Sequence, residues 1–323
     1  MNWVQLGITV VTLGSIFGVV TMALNLQYGH AGMVNLGLVA YFGAGAYAYA
    51  IVTEPAPSGV DQYVVGLGWP PWAGFLIAGL AGLAFALITG PPSLRLRGEY
   101  FAITTFAFAE VFRSLLINER RIGNGTAGMA GIDRPYRDVF SSIDYDYVFA
   151  AAAVLFAFIT FLIFRRIVRS PFGRLMEATR DDEVAVLTSG KQVSRTRLLT
   201  FLGSALFIGF AGAFYATFTT LATPTLFTAT FTFSIFVALV VGGAGSLYRA
   251  IAGILVIISF EEVVRTFPFT TQRSAQIASG LQIAALGFLL ILFLRYQPFV
   301  RWQPLQRLRK PRYQEHVEVT HER

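Results

Sequence analysis

Two small clusters of acid and base interrupt otherwise apolar runs. Glu110 and Arg113 lie three residues apart; Glu261, Glu262 and Arg265 lie within five. On a helix, spacings of three and four bring opposite charges onto one face, where they pair. Ionised groups in an apolar run are costly and face a protein interior or a water-filled cavity. Each cluster therefore admits two roles, a substrate or gating contact and a structural ion pair, and the ion pair is preferred. Other reactive chemistry is scarce. Cysteine is absent, which removes thiol nucleophiles, disulfides and thiolate metal sites. The three histidines, His30, His316 and His321, do not form a metal-ligand set, and His30 fits a turn between glycines. No G-x-x-x-x-G-K-[ST] phosphate loop exists; Gly190-Lys191 is followed by Gln192. The chain is expected to be no enzyme, with no cofactor and no metal of its own.

Composition says what kind of body carries these groups. Of 323 residues, 55% are hydrophobic and 13% are charged. A soluble domain carries roughly 25% charged residues. Mean hydropathy is +0.60. A soluble enzyme, a disordered chain and a nucleic-acid-binding domain are excluded; the basic residues lie between apolar runs rather than in one basic domain. The fold class is all-α, a polytopic transmembrane helical bundle. Apolar runs at 3–24, 32–53, 70–90, 101–118, 147–164, 198–221, 230–248, 250–264 and 274–294 give nine spans, with eight or ten as alternatives. The run at 250–264 is short and ends in Glu261-Glu262, so a broken or re-entrant element fits it. The first run has no basic residue before it and reads as a span that is retained.

Charge orients the spans. Residues 165–197 hold eight Lys/Arg and residues 295–323 hold seven of the 25. The positive-inside rule places both in the cytoplasm. The external segments are 54–69, which lacks Lys/Arg, and 119–146. The N-terminus is then outside and the C-terminus cytoplasmic. Residues 1–297 form the membrane domain, with a cytoplasmic loop at 165–197 and an external loop at 119–146, and 298–323 form a basic cytoplasmic tail. Gly37, Gly43 and Gly45 in the second run, and Gly74, Gly79 and Gly82 in the third, suit close helix packing. Gly43-Ala-Gly-Ala-Tyr47 has a weak echo in Gly209-Phe-Ala-Gly-Ala-Phe-Tyr215, a hint of a repeat.

The loop carries the most information. Ser170 is a good N-cap, Pro171 a good first helical residue and Gly190 a good stop. Asp181 or Asp182 can cap a second short helix. Phe172, Leu175, Met176 and Thr179 share one face, while Arg174, Glu177, Arg180, Asp181 and Glu183 cover much of the rest. Mixed charge argues against an anionic membrane surface and for a protein groove.

This loop resembles the ATPase-coupling segment of permeases in the branched-chain amino acid (Liv-type) ABC importer family. Gly173, Arg174, Ala178, Arg180, Asp182, Glu183, Ala185 and Gly190 fill the family's frame. Val186 stands where the family often has a second Ala. Further segments resemble the family in order: Asn25 to Gly37, with Asn35 where Ser is usual; Gly43 to Tyr47; Leu94 to Ile103; Phe201 to Tyr215; and Val240 to Leu247, with Gly243 and Gly245. Leu94 to Ile103 resembles the longer, M-like subunit, though Glu99 replaces the usual Asp.

The resemblance implies a membrane-spanning subunit of an ATP-driven importer in a prokaryotic plasma membrane. Branched-chain or related amino acids would be its cargo, moved by alternating access. Its implied partners are two cytoplasmic ATPases that bind the ATP, a second related permease and an external substrate-binding protein. It implies ATPase coupling for Phe172, Gly173, Arg174, Leu175, Met176, Ala178, Arg180, Asp182, Glu183, Ala185 and Gly190, the apolar face entering the ATPase groove and Arg174, Arg180, Asp182 and Glu183 setting partner choice. Asn35, Gly37, Gly43, Gly45, Tyr47, Glu110, Arg113, Gly243 and Gly245 are candidates for the substrate path or for helix packing. The alternatives are an ATP-independent secondary transporter or channel, and the same importer type for urea or short amides.

Overall fold

The computed structural model describes residues 3–55, 66–96, 98–137 and 142–266, with scattered positions between 280 and 292. The described residues are predominantly helical. α1 (Trp3–Leu24) runs on into a π-helical turn, Asn25–His30. α2 (Leu38–Thr53), α3 (Pro71–Ser93), α4 (Glu99–Asn118) and the single turn α5 (Arg120–Gly123) follow. Next come α6 (Ser142–Arg169), two short helices α7 (Pro171–Asp181) and α8 (Glu183–Thr188), and α9 (Val193–Thr219). α10 (Ala229–Gly242) and α11 (Leu247–Thr266) complete the described body. Two-residue strands β1 (Met129–Ala130) and β2 (Leu221–Ala222) pair antiparallel between the loops.

Among the described residues five helices are long and apolar enough to cross a membrane: Trp3–His30, Pro71–Ser93, Glu99–Asn118, Asp144–Arg169 and Val193–Thr219. α2 and α10, at 16 and 14 residues, are shorter apolar helices. At 1.5 Å per residue they reach about 24 and 21 Å, short of a hydrocarbon core of about 30 Å. Eight of the expected apolar runs coincide with helices, while 274–294 lies largely, and 298–323 wholly, outside the described residues. The boundaries differ in instructive ways. The second run starts not at 32 but at Leu38, because residues 31–37 are non-helical. The run at 250–264 is one continuous helix, α11, so the shortened element of this pair is α10. The segment taken as 119–146 yields its last residues to α6, which starts at Ser142.

Non-helical backbone is tolerated at membrane depth only where protein covers and satisfies it. The 31–37 stretch meets that condition. The Ala31, Gly32 and Met33 amides donate to the carbonyls of Leu26, Tyr28 and Gln27, and the Leu36 amide donates to Thr105 Oγ1 at 3.2 Å. The Gly37 amide donates to Asn35 Oδ1 at 2.8 Å.

The core is the packing of α2, α3 and α9 on one another, with α1 beside them. Backbones meet directly there. A Cβ on Gly45 would strike the Gly209 carbonyl, and one on Gly212 would strike the Phe42 carbonyl. Gly209 in turn faces the Ala78 carbonyl and Gly82 faces the Ala205 carbonyl. Without water there is no hydrophobic drive between helices, so close approach through small residues supplies much of the attraction. α10 and α11 repeat the device through Gly242 and Gly253. Beside the α2–α9 contact, Phe42 stacks on Phe231 at 4.9 Å between ring centres and Phe17 meets Phe231 edge-on at 5.1 Å. The outward faces of α3, α4 and α6 expose large apolar side chains such as Ile88, Ile103 and Phe158, as a lipid-facing surface would.

Gly45→Leu is expected to lower the melting temperature sharply, since overpacking costs about 1–3 kcal/mol or more. Gly203, also in α9, has nothing within 4 Å of an added Cβ. Gly203→Ala should be neutral or stabilising, by up to ~1 kcal/mol. Thermal unfolding of the detergent-solubilised chain checks both.

Candidate coupling site

The sequence sets up α7 and α8 locally. Ser170 Oγ accepts the Gly173 amide at 3.3 Å, with Pro171 in the first turn. Asp182 Oδ1 accepts the amides of Val184 and Ala185, each at 3.1 Å, so Asp182 rather than Asp181 caps α8. Gly190 closes the loop with φ +73°, a conformation that favours glycine. Gly173 is needed for space, because a Cβ there would strike the Val168 carbonyl.

The loop is bolted to the transmembrane body. Met176 is fully buried, with its sulfur 2.9 Å from Thr200 Oγ1 on α9. Glu183 pairs with Arg197, also on α9, at 3.1 Å. His30 Nδ1 meets Glu177 Oε1 at 2.9 Å. Arg180 donates to the Gly29 carbonyl and pairs with Asp181 at 2.9 Å. Gly32, at φ +69°, lies against the Arg180 stem. The π-helical turn after α1 thus forms a latch on α7. Deeper in the body, Gln27 donates to Ser204 Oγ and the Gly245 amide donates to Asn25 Oδ1 at 2.8 Å. These ties connect α1, α9 and the α10–α11 turn.

The chain itself covers part of the apolar face of α7. Gly173, Met176 and Thr179 are buried within the chain, and Phe172 and Leu175 are half-buried. Three of the four charges expected to select a partner are used internally: Arg180 on Gly29, Asp182 as a cap and Glu183 on Arg197. What faces outward is a different set. Arg174, Ala178, Asp182 and Ala185 are exposed, with Val184 68% and Leu187 49% exposed.

The packing candidates also resolve. Gly37 abuts the Thr105 carbonyl, and Gly43 lies 3.1 Å from Phe112 and 3.2 Å from Phe227 by its added Cβ. Gly74 and Gly79 accept Tyr49 and Phe210 in the same way. Gly243 and Gly245, at φ +99° and +86°, make the α10–α11 turn. Asn35 and Tyr47 are buried, and neither Asn35 Nδ2 nor the Tyr47 hydroxyl finds a partner among the described residues. Glu110 and Arg113 pair at 3.5 Å on a half-buried face, and Arg113 also donates to the Pro224 carbonyl at 3.3 Å. Arg265 pairs with Glu262 at 3.6 Å rather than with Glu261. At the opposite end of the body from the coupling loop, Glu54 accepts the Asp133 amide at 2.9 Å, and burial raises its carboxyl pKa. Among the described residues no three His, Cys, Asp or Glu side chains group as a metal site.

The latch was missed in the sequence because its halves lie 147 positions apart. A signal existed: Asn25, Gln27 and His30 break an apolar run just where polar groups need a purpose. Glu177→Ala would leave His30 buried and unpaired. It should destabilise by about 1–3 kcal/mol and raise hydrogen exchange across 171–181. A double-mutant cycle with His30→Ala should return a coupling of about 0.5–3 kcal/mol.

The sequence profile of the branched-chain amino acid transport system permease component matches residues 7–294. The chain is similar to the high-affinity branched-chain amino acid transport system permease protein LivM of Escherichia coli K12, with 30% identity over 90% of this chain and 68% of that protein. It is 28% identical to the probable branched-chain amino acid transport permease protein LivM of Methanocaldococcus jannaschii, over 88% of this chain and 89% of that one. No solved structure matches significantly. A transport subunit rather than an enzyme, and a multi-pass protein of the plasma (inner) membrane, the chain belongs to the branched-chain amino acid ABC permease family.

Proposed function

We propose that this chain is the membrane-spanning subunit of an ATP-driven importer for branched-chain or related amino acids. Two separate ATPases bind and hydrolyse the ATP, a second permease completes the channel, and an external binding protein delivers and selects the solute. The observation that carries the reading is the capped two-helix loop 170–190, fixed to α1 and α9 by His30–Glu177, Arg180–Gly29, Met176–Thr200 and Glu183–Arg197. A loop so fixed transmits displacement to the spans instead of absorbing it.

In this reading the coupling loop, with its excess of arginine, is cytoplasmic. The helices alternate from there: α1 enters from outside, nine spans are crossed, and the tail 298–323 ends in the cytoplasm. The ATPase meets the outward set, Arg174, Ala178, Val184 and Leu187, while Gly173, Met176 and Glu183 hold that face in place. Transport proceeds by alternating access, with ATPase closure tilting α9 and the helices glycine-packed against it. An ATP-independent carrier would need titratable groups lining a path. Glu110 and Arg113 instead satisfy each other and a backbone carbonyl.

The test is leucine uptake into proteoliposomes holding the chain with the ATPases, second permease and binding protein from its own operon. The double variant Val184→Asp, Leu187→Asp should lose uptake and substrate-stimulated ATP hydrolysis by roughly tenfold or more, about 1.4 kcal/mol of docking energy. Its insertion and melting temperature should match the parent, because both side chains are exposed. Unchanged coupled uptake in this variant overturns the docking account.

A further inference from the structure

α6 is the least buried of the spanning helices, together with α4. One side of it forms a wall of an apolar groove of about 350 Å³ shared with α1 and α11. Gly14, Ser15 and Gly18 make a low floor, and Phe158, Phe161 and Tyr248 rise beside it. One turn further along α6, a second hollow of about 460 Å³ is bounded by Leu162, Arg165, Arg166, Arg169 and Ser170. Among the described residues none of these three arginines has an ion-pair partner. Their neighbours on α7 are already engaged, Glu177 with His30 and Asp181 with Arg180.

We infer that these two hollows form one binding site for an anionic phospholipid, independent of the transport reading. At helical spacing Arg165 falls on the same stripe as Val154, Phe158 and Phe161, so the cationic patch caps the groove lengthwise. From Val154 to Arg165 the helix rises about 16 Å, close to the ~15 Å of one hydrocarbon leaflet. An acyl chain lying on the glycine floor therefore brings its phosphate level with the arginines. Arginine suits phosphate by donating two parallel hydrogen bonds. The patch is purely cationic, unlike the mixed charge of α7, which is what an anionic headgroup rather than a protein rim requires. The bound lipid would brace α6 directly above Ser170, the cap that starts the coupling loop.

The experiment is native mass spectrometry of the full chain extracted in mild detergent, with phosphatidylglycerol or phosphatidylcholine of matched acyl chains added. Phosphatidylglycerol should be retained and phosphatidylcholine lost. The triple variant R165Q/R166Q/R169Q should bind phosphatidylglycerol roughly 100-fold more weakly, since each cation near an anionic lipid contributes about fivefold. Ala157→Phe fills the groove without touching the arginines and should weaken binding at least about tenfold. Gel filtration of both variants confirms folding. Equal retention of the two lipids overturns the proposal. So does parental binding by either variant, or a photo-crosslinker at position 158 that captures a polypeptide in place of lipid.

Discussion

The rest of the molecule depends on the contact of α2 and α3 with α9, backbone on backbone. Gly45 faces the Gly209 carbonyl, Gly212 faces the Phe42 carbonyl, and Gly209 faces the Ala78 carbonyl. In lipid this packing takes the place that hydrophobic burial holds in water. It is short-ranged and steep, so the three helices have little freedom to slide. The bolts on the coupling loop, Thr200 and Arg197, lie in the first two turns of the same α9. About three turns further on come Gly209 and Gly212. Force applied at residues 171–190 therefore enters the helix that the glycines join to α2 and α3, with no soft linker between.

The polar groups of the first half follow from the same need for definition. Asn25, Gln27 and His30 each hold a distant element: the α10–α11 turn, α9 and α7 respectively. Asn25, Gln27 and His30 are themselves buried, so a bond left unmade at one of them would cost roughly 1–3 kcal/mol. That penalty specifies one arrangement of turns that apolar contacts alone would leave interchangeable. The irregular stretch 31–37 is tolerated for the same reason, since its amides are met by Leu26, Tyr28, Gln27, Asn35 and Thr105.

How much of this was legible in the sequence divides by range. Local features were readable: the Ser170 and Asp182 caps, the Gly190 stop and the apolar runs that became helices. Each depends on residues within a few positions of one another. The role of glycine as packing surface was readable in kind, but which backbone met which was not, because Gly45 and Gly209 are 164 positions apart in the sequence. What covers part of the apolar face of an amphipathic helix was not legible for the same reason. Periodicity marks Met176 and Thr179 as one face of α7 but contains nothing about α9, whose Thr200 fills the space opposite. The Glu183–Arg197 pair was hidden likewise, since its two residues lie on different helices.

Burial of that face within the chain has a physical consequence for the loop. A helix that inserts its apolar face into a partner gains affinity but is held only by its flanking chain. A helix that buries that face at home offers a smaller outward surface, yet cannot rotate without breaking Met176–Thr200 and His30–Glu177 together, while Glu183–Arg197 holds α8 beside it. For a transmission element stiffness matters more than contact area, because motion lost in the loop never reaches the spans. With α7 and α8 joined only by Asp182, itself the cap of α8, the two helices respond as one body. What the loop leaves exposed is a small set, Val184 and Leu187 on α8 and Arg174 on α7.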